Sequence, residues 1–332
     1  MTRAYSLAAL GVAVALGCAQ RPPLDVQSHA PEYSGSTPLP PSDNPRTLAA
    51  IGGEPAPSAS AASSAAPTAA PAPVVVPRLP GTPDLTKDGR YSFTGGGVEL
   101  LVDPRSGNAL RLALDGKDSL LAPDAKAAPA ALPVEAFSAA ELEGSSLVLK
   151  GSGGASKRIR LDTARRMVEI TYTVVNTTSA PLQAGSMDFH RVPSATGLTF
   201  FPNAPKLLPG STLKLNVWQP VCWFSHDQAR EPKSLEASVE STEGWVASIN
   251  DGLLLVKVAS DGAQPVISIF SAYDPTTKLR PWVEVGQRSS LEVAPGKSAS
   301  ASVRLFVRKL PSSLQVKPGN QELVGFVRGV IQ

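Results

Sequence analysis

From Gly89 to Leu310 the chain consists of short hydrophobic runs separated by turns rich in glycine, proline, aspartate and asparagine. In the clearest run, from Val168 to Val174, a hydrophobic residue occupies every second position, and glutamate or threonine lies between them. A period of two places alternate side chains on opposite faces of a β-strand. The pattern therefore predicts a series of half-buried antiparallel strands.

Two turns in the second half of the chain define strand connections. Asp251-Gly252 separates two hydrophobic runs and is a strong hairpin signal. Ala294-Pro295-Gly296 predicts a turn between a strand that carries Glu284 and a long final strand. Phe306 breaks the alternation of that final strand, so we expect its second face to be covered as well. We expect these last two strands to form the edge of the sheet assembly.

The remaining patterns favour one all-β domain. The segment Ala122 to Ala140 is rich in alanine, but its three prolines favour a loop over a helix. A shorter alternating run, Leu213 to Val217, predicts one more strand. A dozen or so short strands without a long helix predict an antiparallel β-sandwich or barrel, and about 220 residues suffice for one such domain. Residues 311–332 fit either a last strand or a short packing helix.

The first 18 residues have the pattern of an export signal. One arginine precedes the apolar run Tyr5 to Leu16, which is too short to span a membrane. The following Gly17-Cys18 completes a segment that resembles the bacterial lipoprotein signal, and the resemblance implies that Cys18 carries several acyl chains. Ala19 fits sorting to the outer membrane. We therefore predict a lipid-anchored protein of the bacterial cell envelope, on either its periplasmic or its surface face; the alternative is an ordinary signal peptide.

Residues 19–88 are rich in proline, alanine and serine. They lack the large side chains whose burial offsets the loss of chain entropy, so they predict a disordered linker. His29 lies in this linker and is discounted as a catalytic residue. The predicted organisation is a signal peptide (1–18), a linker (19–88), a β-sandwich domain (89–310) and a carboxyl-terminal extension (311–332).

Charge and composition exclude several classes of function. The formal net charge is +3 and the basic residues are scattered, so we expect no nucleic-acid partner. The chain has two cysteines and three histidines, too few for a zinc framework of the usual Cys/His spacing. No metal and no cofactor is expected. If Cys18 is acylated, Cys222 has no disulfide partner within the chain.

Three segments resemble a known fold family. They are the glycine-rich stretch Phe93 to Leu110, Asp118-Ser-Leu-Leu, and the late Val283-Glu284-Val285 with Leu291 to Lys297. In this order they resemble the galactose mutarotase-like β-supersandwich. The middle segment, Asp188 to Pro202, is similar to an uncharacterised bacterial branch of that superfamily that includes secreted proteins and lipoproteins. The resemblance implies an antiparallel β-supersandwich.

The same resemblance implies candidate site residues. In the sugar mutarotases a histidine protonates the ring oxygen while a glutamate takes the proton of the anomeric hydroxyl. By position, Glu284 matches the glutamate and Gln287 a nearby glutamine, and His190 is the candidate acid. Arg191 or Asp188 would orient it or bind sugar. The alternatives without a function in the site are that His190 is a buried structural histidine and that Glu284 is a solvated surface residue.

Two further groups of residues carry candidate chemistry. Four tryptophans offer stacking platforms for sugar rings: Trp218, Trp223, Trp245 and Trp282. Tryptophan in strands more often lies in the core, so we expect at most one of them to line a groove. Cys222 and His226 have the residue types of a nucleophile pair, or of a metal site with Asp227. Cysteine among Val, Trp and Phe is more often an inert buried group, and that interpretation is favoured.

The histidine-bearing motifs of the mutarotases are not recognisable in this sequence. The favoured prediction is therefore an envelope lipoprotein whose β-sandwich binds a carbohydrate or glycan without catalysis, with Phe189 to Arg191, Trp282 and Glu284 lining the site. The alternatives are an epimerase-type enzyme with His190 as acid and Glu284 as base, and a structural or protein-interaction module. Catalysis requires both groups to reach one sugar-sized pocket.

Overall fold

The computed structural model describes five segments of the chain: residues 79–117, 137–193, 197–228, 231–259 and 265–332. All of them belong to one compact unit, Ala72–Gln332. The predicted signal peptide with Cys18 lies outside the described residues, as do nearly all of the linker and most of the segment 122–140. Within the described segments, no helix has the length and hydrophobicity needed to cross a membrane.

The described residues form eighteen strands and one α-helix. The strands are β1 (Asp84–Leu85), β2 (Tyr91–Gly95), β3 (Val98–Val102), β4 (Ala109–Leu114), β5 (Phe137–Glu143), β6 (Ser146–Gly151), β7 (Ser156–Asp162), β8 (Met167–Val175), β9 (Leu182–Pro193), β10 (Leu198–Leu207), β11 (Asn216–Trp218), β12 (Val221–Ser225), β13 (Leu235–Ser241), β14 (Trp245–Asn250), β15 (Leu253–Ala259), β16 (Val266–Ser271), β17 (Trp282–Val293) and β18 (Ser298–Lys309). The helix α1 is Gln321–Ile331.

Two antiparallel sheets contain these strands. A four-stranded sheet has the order β1-β2-β3-β4. A fourteen-stranded sheet has the order β5-β6-β7-β8-β18-β15-β14-β10-β13-β16-β17-β9, and β12 branches from β10 to pair with β11. The all-β antiparallel architecture predicted from the alternating pattern is thus confirmed. The first residues of β10 pair with β14 and later residues pair with β13, so β10 joins the two parts of the large sheet.

The predicted hairpin at Asp251-Gly252 joins β14 to β15, with Asn250 opposite Leu253. Asp251 and Gly252 have φ angles of 47° and 73°. A two-residue hairpin loop with positive φ at both positions matches the right-handed twist of its strands, and aspartate followed by glycine tolerates those angles. This confirms the hairpin.

The last two strands are central strands, and the expectation that they form a sheet edge is wrong. β17 pairs with β16 and β9, whereas β18 pairs with β15 and β8. The chain reverses at residues 294–297, where the Lys297 amide donates to the Ala294 carbonyl at 3.1 Å. Phe306 is fully buried, as its break in the alternation predicted. Leu305, Phe306 and Val307 are buried in succession, so both faces of this part of β18 are covered.

Three clusters of buried side chains hold the domain together. The first lies between the small sheet and strands β6 to β8, β15 and β18. The second lies under α1, whose Leu323, Val324 and Val327 pack on strands β10, β12, β14 and β15. The third lies beneath β13, β16, β17 and β9. Of the two structures left open for residues 311–332, the helix is the observed one.

The predicted strand at Leu213 to Val217 is shorter than the sequence pattern indicated. Only Asn216–Trp218 forms β11. The amides of Thr212 and Leu213 both donate to the Glu236 carbonyl, at 2.7 and 2.8 Å. These bonds hold the start of the alternating run as a loop against β13, although Leu213 is still buried in the third cluster.

Candidate functional site

The candidate site lies on one face of the β9–β17 pair. These strands are in register over all 12 residues of β17, which places Glu284 opposite Arg191 and Val285 opposite His190. Val283 and Val285 are fully buried in the third cluster. Because alternate residues of a strand face opposite sides, Arg191 and Glu284 lie on the outer face.

Four side chains meet on this outer face. The Arg191 Nε donates to Glu284 Oε2 at 2.9 Å, and the two side chains are only 17% and 16% exposed. The Arg191 guanidinium carbon lies 4.0 Å from the centre of the Trp282 ring. Phe270, which is opposite Glu284 on β16, has its ring centre 5.7 Å from that of Trp282. We call Arg191, Phe270, Trp282 and Glu284 the aromatic ion-pair cluster.

Partial burial gives this cluster a defined geometry. An ion pair at such low exposure is screened less by water and salt than a surface pair. The guanidinium over the indole ring adds a cation–π attraction. The rotamers of Arg191 and Glu284 are therefore restricted by each other and by Trp282. The cluster presents an aromatic surface beside fixed hydrogen-bond donors and acceptors.

Polar residues continue this outer face across the two neighbouring strands. Ser268 on β16 and Ser238 on β13 lie opposite each other, with their hydroxyl oxygens 3.1 Å apart. Glu236, the partner of Phe270 on β13, is exposed, as is Arg288 on β17. The face therefore combines aromatic rings, hydroxyl groups and charges of both signs, which are the groups that bind polyhydroxylated ligands through stacking and hydrogen bonds.

His190 lies on the opposite, core-facing side of β9. The residue is 7% exposed, and neither ring nitrogen has a hydrogen-bond partner in the described structure. Burial, and secondarily the charge of Lys257, hold the pKa of His190 well below 6.5. The proposed acid and base, His190 and Glu284, are thus not brought together, because they occupy positions of opposite orientation in paired strands.

The other predicted ligand-binding residues divide between the two faces. Arg191 and Trp282 join Glu284 on the outer face. Gln287 faces the interior, is 2% exposed, and donates from Nε2 to the Gly244 carbonyl at 3.0 Å. Asp188 pairs with Gln287 along the backbone, and its side chain lies outside the described part of the structure.

Sequence reasoning missed two residues in this region. Phe270 belongs to the aromatic ion-pair cluster, but the register that places it beside Trp282 cannot be read from a local pattern. Lys257 is fully buried on β15, and its Nζ lies 3.4 Å from the Val285 carbonyl oxygen. A lysine inside the run Leu253 to Val258 was the available signal for a charged group in the interior.

Cys222 and His226 do not form a nucleophile pair. Burial raises the pKa of the Cys222 thiol to about 12. Burial also lowers the pKa of His226 to about 4, and its Nε2 lies 2.9 Å from the Thr199 hydroxyl. No group of three or more His, Cys, Asp or Glu side chains suited to a metal ion occurs among the described residues. The burial of Cys222 agrees with the interpretation of this residue as an inert core side chain.

The four tryptophans have different exposures. Trp223 and Trp245 are fully buried, Trp282 is partly buried, and Trp218 on β11 is 61% exposed. Two of the four predicted stacking platforms are therefore core residues. Trp282 is the one that lies beside the predicted glutamate.

Comparisons with known proteins identify the fold. No protein-family model matches the sequence, and no curated protein matches it. Among solved structures, a galactose mutarotase-like protein from Lactobacillus casei has a TM-score of 0.52 at 10% identity, with 66% of this chain and 100% of that chain covered.

Two further solved structures are similar to the same extent. A putative aldose 1-epimerase from Escherichia coli K12 has a TM-score of 0.51 at 14% identity, with 67% of this chain and 99% of that chain covered. A galactose mutarotase related enzyme from Lactobacillus acidophilus has a TM-score of 0.51 at 11% identity, with 68% and 100% covered. Likeness at this level of identity concerns the fold. The chain has the galactose mutarotase-like fold.

Proposed function

We propose that this protein is a lipid-anchored protein of the bacterial cell envelope that binds a carbohydrate or glycan at the aromatic ion-pair cluster without transforming it. Carbohydrate binding is supported by the galactose mutarotase-like fold and by the chemistry of the outer face. The single observation that carries the proposal is the contact of Trp282 with the Arg191–Glu284 pair. A sugar offers an apolar C–H face for the indole and hydroxyl groups for the guanidinium and carboxylate.

The orientation of the histidines supports binding without catalysis. Epimerisation at a sugar ring requires an acid and a base that both reach the ligand. Glu284 is on the outer face, whereas the two histidines of the described residues are both buried, His190 at 7% and His226 at 1% exposure. An acid and base on opposite sides of a strand cannot flank one ring.

Binding is tested by calorimetric titration of the full-length chain with D-galactose, D-glucose, N-acetylglucosamine and their oligosaccharides. We expect at least one to bind, and Trp282→Ala to weaken that binding at least about tenfold by removing a stacking surface. Trp218→Ala is the matched control, because it removes an exposed tryptophan from another strand. Equal affinity of wild type and Trp282→Ala would contradict the proposed site.

Catalysis is tested by polarimetry on freshly dissolved sugars. The proposal predicts that the protein does not accelerate mutarotation above the rate in buffer. A rate increase that Glu284→Gln abolishes would establish the epimerase-type alternative instead.

The anchoring proposal has its own experiment. The resemblance of residues 15–18 to a lipoprotein signal supports acylation of Cys18. We expect the wild-type chain to fractionate with membranes and Cys18→Ala to move to the soluble fraction, because the acyl chains provide the membrane affinity. Identical fractionation of the two chains would contradict acylation at Cys18. That outcome would not change the interpretation of the sugar-binding experiment.

A further inference from the structure

Two segments that are far apart in the sequence bring four arginines to one place on the large sheet. Arg165 and Arg166 belong to the turn between β7 and β8. Arg304 and Arg308 lie on β18, which pairs with β8. Because β8 begins opposite Phe306, the turn lies beside the part of β18 that carries these two arginines. We call the four residues the arginine cluster.

Three guanidinium groups of the arginine cluster surround one aromatic ring. The guanidinium carbons of Arg165, Arg304 and Arg308 lie 5.6, 6.0 and 5.9 Å from the centre of the Phe306 ring. The ring attracts each cation, but the cations repel one another. Burial, followed by the charges of Arg166 and Arg165, accordingly lowers the pKa of Arg308. The fold therefore holds several positive charges close together at an electrostatic cost.

The described residues do not neutralise these charges. No Asp or Glu side chain among them forms an ion pair with a member of the arginine cluster. Glu169 lies opposite Arg304, but its Oε2 accepts from the Arg160 Nη2 at 2.8 Å. The Asp162 Oδ1 accepts from the backbone amide of Arg165 at 2.9 Å. An anion from solution would supply the missing compensation.

Backbone carbonyl groups hold two of the guanidinium groups in place. The Arg308 Nη1 donates to the carbonyl oxygens of Arg166 and Val307, at 3.2 and 2.8 Å. The Arg165 Nη2 donates to the Gln332 carbonyl oxygen at 3.3 Å. A guanidinium has five N–H groups, so each of the two keeps donors that these bonds do not use. Arg165 is exposed and the other three arginines are half-buried, so a dissolved ligand can reach the cluster.

We propose that the arginine cluster binds the phosphate group of a phosphate monoester, which is either a soluble compound or a lipid headgroup. Such a group carries about −1.5 to −2 charges at pH 7 and three acceptor oxygens. Three guanidinium groups match that charge and that number of oxygens, and guanidinium suits bidentate phosphate recognition. The Nε of Arg304 is buried, so this residue would bind through its terminal nitrogens. The site shares no residue with the aromatic ion-pair cluster and stands apart from carbohydrate binding.

The test is a calorimetric titration of the full-length chain with inorganic phosphate and with glycerol 3-phosphate, at neutral pH and physiological ionic strength. Acetate, which has one charge and two oxygens, is the comparison anion. We expect both phosphates to bind at least about tenfold more tightly than acetate, because their higher charge engages all three guanidinium groups. Equal binding of phosphate and acetate, or no binding of either phosphate, would overturn the proposal.

Two variants and a matched control locate the site. Arg304→Gln and Arg308→Gln should each weaken phosphate binding at least about tenfold. Arg111→Gln removes the same charge from an exposed arginine of the four-stranded sheet, which pairs with Glu99 at 3.0 Å, and should change the affinity by less than about twofold. Urea unfolding checks that the variants remain folded. Unchanged affinity of both cluster variants would show that these arginines only pack on Phe306, and would contradict the proposal.

A further titration distinguishes the two sources of the phosphate group. Dihexanoyl phosphatidic acid, kept below its micelle concentration, carries the phosphate monoester on a lipid. Tighter binding of this lipid than of glycerol 3-phosphate would assign the site to a lipid headgroup, and equal or weaker binding would assign it to a soluble phosphate monoester. Dihexanoyl phosphatidylglycerol, a phosphodiester with one charge, should bind about tenfold more weakly than the phosphatidic acid. Equal binding of the two lipids would contradict a site for a phosphate monoester.

Discussion

Single residues of β9 have opposite environments at successive positions. His190 faces the core without a described hydrogen-bond partner, and Arg191 faces outward in an ion pair with Glu284. The difference follows from the period of two in a strand, since one step along the chain changes the face. Whether a residue of β9 faces the core or the outer surface is therefore decided by its place in this alternation.

The first prediction concerns the ion pair of the aromatic ion-pair cluster. Glu284→Gln removes the negative charge and leaves Arg191, whose side chain is 17% exposed, without its partner. We expect the free energy of unfolding to fall by about 2 kcal/mol, because a poorly solvated charge has lost its compensation. Urea unfolding at pH 7 measures this change.

The control is an ion pair of similar geometry on the surface. Lys150 and Glu141 lie 2.6 Å apart, with both side chains 50% exposed. Glu141→Gln should change the free energy of unfolding by no more than about 0.5 kcal/mol, because water screens the pair. An equal effect of the two substitutions would show that burial does not strengthen the Arg191–Glu284 pair.

The sequence predicted some residues of this site, but it did not predict the contacts between strands. Val283 and Val285 flank Glu284, and a core-facing position of these two hydrophobic residues turns the carboxylate outward. Phe189 to Val192 has no comparable alternation, so the orientation of His190 could not be derived. Contacts across strands, such as that of Phe270 with Trp282, depend on a register between segments that are distant in sequence.

At the scale of elements, the carboxyl-terminal helix is part of the core. Leu323, Val324 and Val327 of α1 are each 1% exposed in the second cluster. Asn320 caps the helix, with its side-chain oxygen accepting from the Glu322 amide at 3.1 Å. Capping and burial of one helical face together explain why this tail forms a helix.

The second prediction tests that packing. Leu323→Ala should lower the free energy of unfolding by about 2–5 kcal/mol, because it removes buried methyl groups and leaves a cavity. The exposed Gln321→Ala in the same first turn should change it by less than about 0.5 kcal/mol. Urea unfolding followed by circular dichroism compares the two variants. A loss of similar size for both would mean that α1 is not anchored through its buried face.

Strand existence was predictable more often than strand position. Alternation located β8, β13 and β18, and the Asp-Gly turn located the β14–β15 hairpin. The central places of β17 and β18 were not foreseen, because the order of strands in a sheet depends on long-range pairing. The helical or extended state of residues 323–331 stayed open, since a short hydrophobic segment fits both periods until its partner surface is known.

At the scale of the whole molecule, the buried histidines connect stability to pH. Burial lowers the pKa of His226 to about 4, below its ordinary 6.5, and the pKa of His190 is also lowered. Both side chains are neutral in the folded protein at neutral pH. The unfolded chain binds more protons below pH 6.5, so stability is full above that value and falls as the pH decreases towards 4.

The third prediction follows from this linkage. Between pH 7.5 and pH 5 the free energy of unfolding should fall by about 2 kcal/mol from His226 alone, with a further loss from His190. Urea unfolding at a series of pH values measures the fall. His190→Leu should make it smaller, and His29→Ala, in the predicted linker, should leave it unchanged. A stability that is independent of pH across this range would contradict the neutral, buried state of both histidines.

The most direct measurement of the proposed binding face is an NMR titration of the full-length chain, labelled with ¹⁵N at tryptophan, with sugars. The indole N–H signals of its four tryptophans are assigned with single Trp→Phe variants. A bound carbohydrate is predicted to shift the signal of Trp282, which contacts Arg191, while the signal of the fully buried Trp245 stays in place. Sugars that bind without moving the Trp282 signal would contradict a carbohydrate site at the aromatic ion-pair cluster.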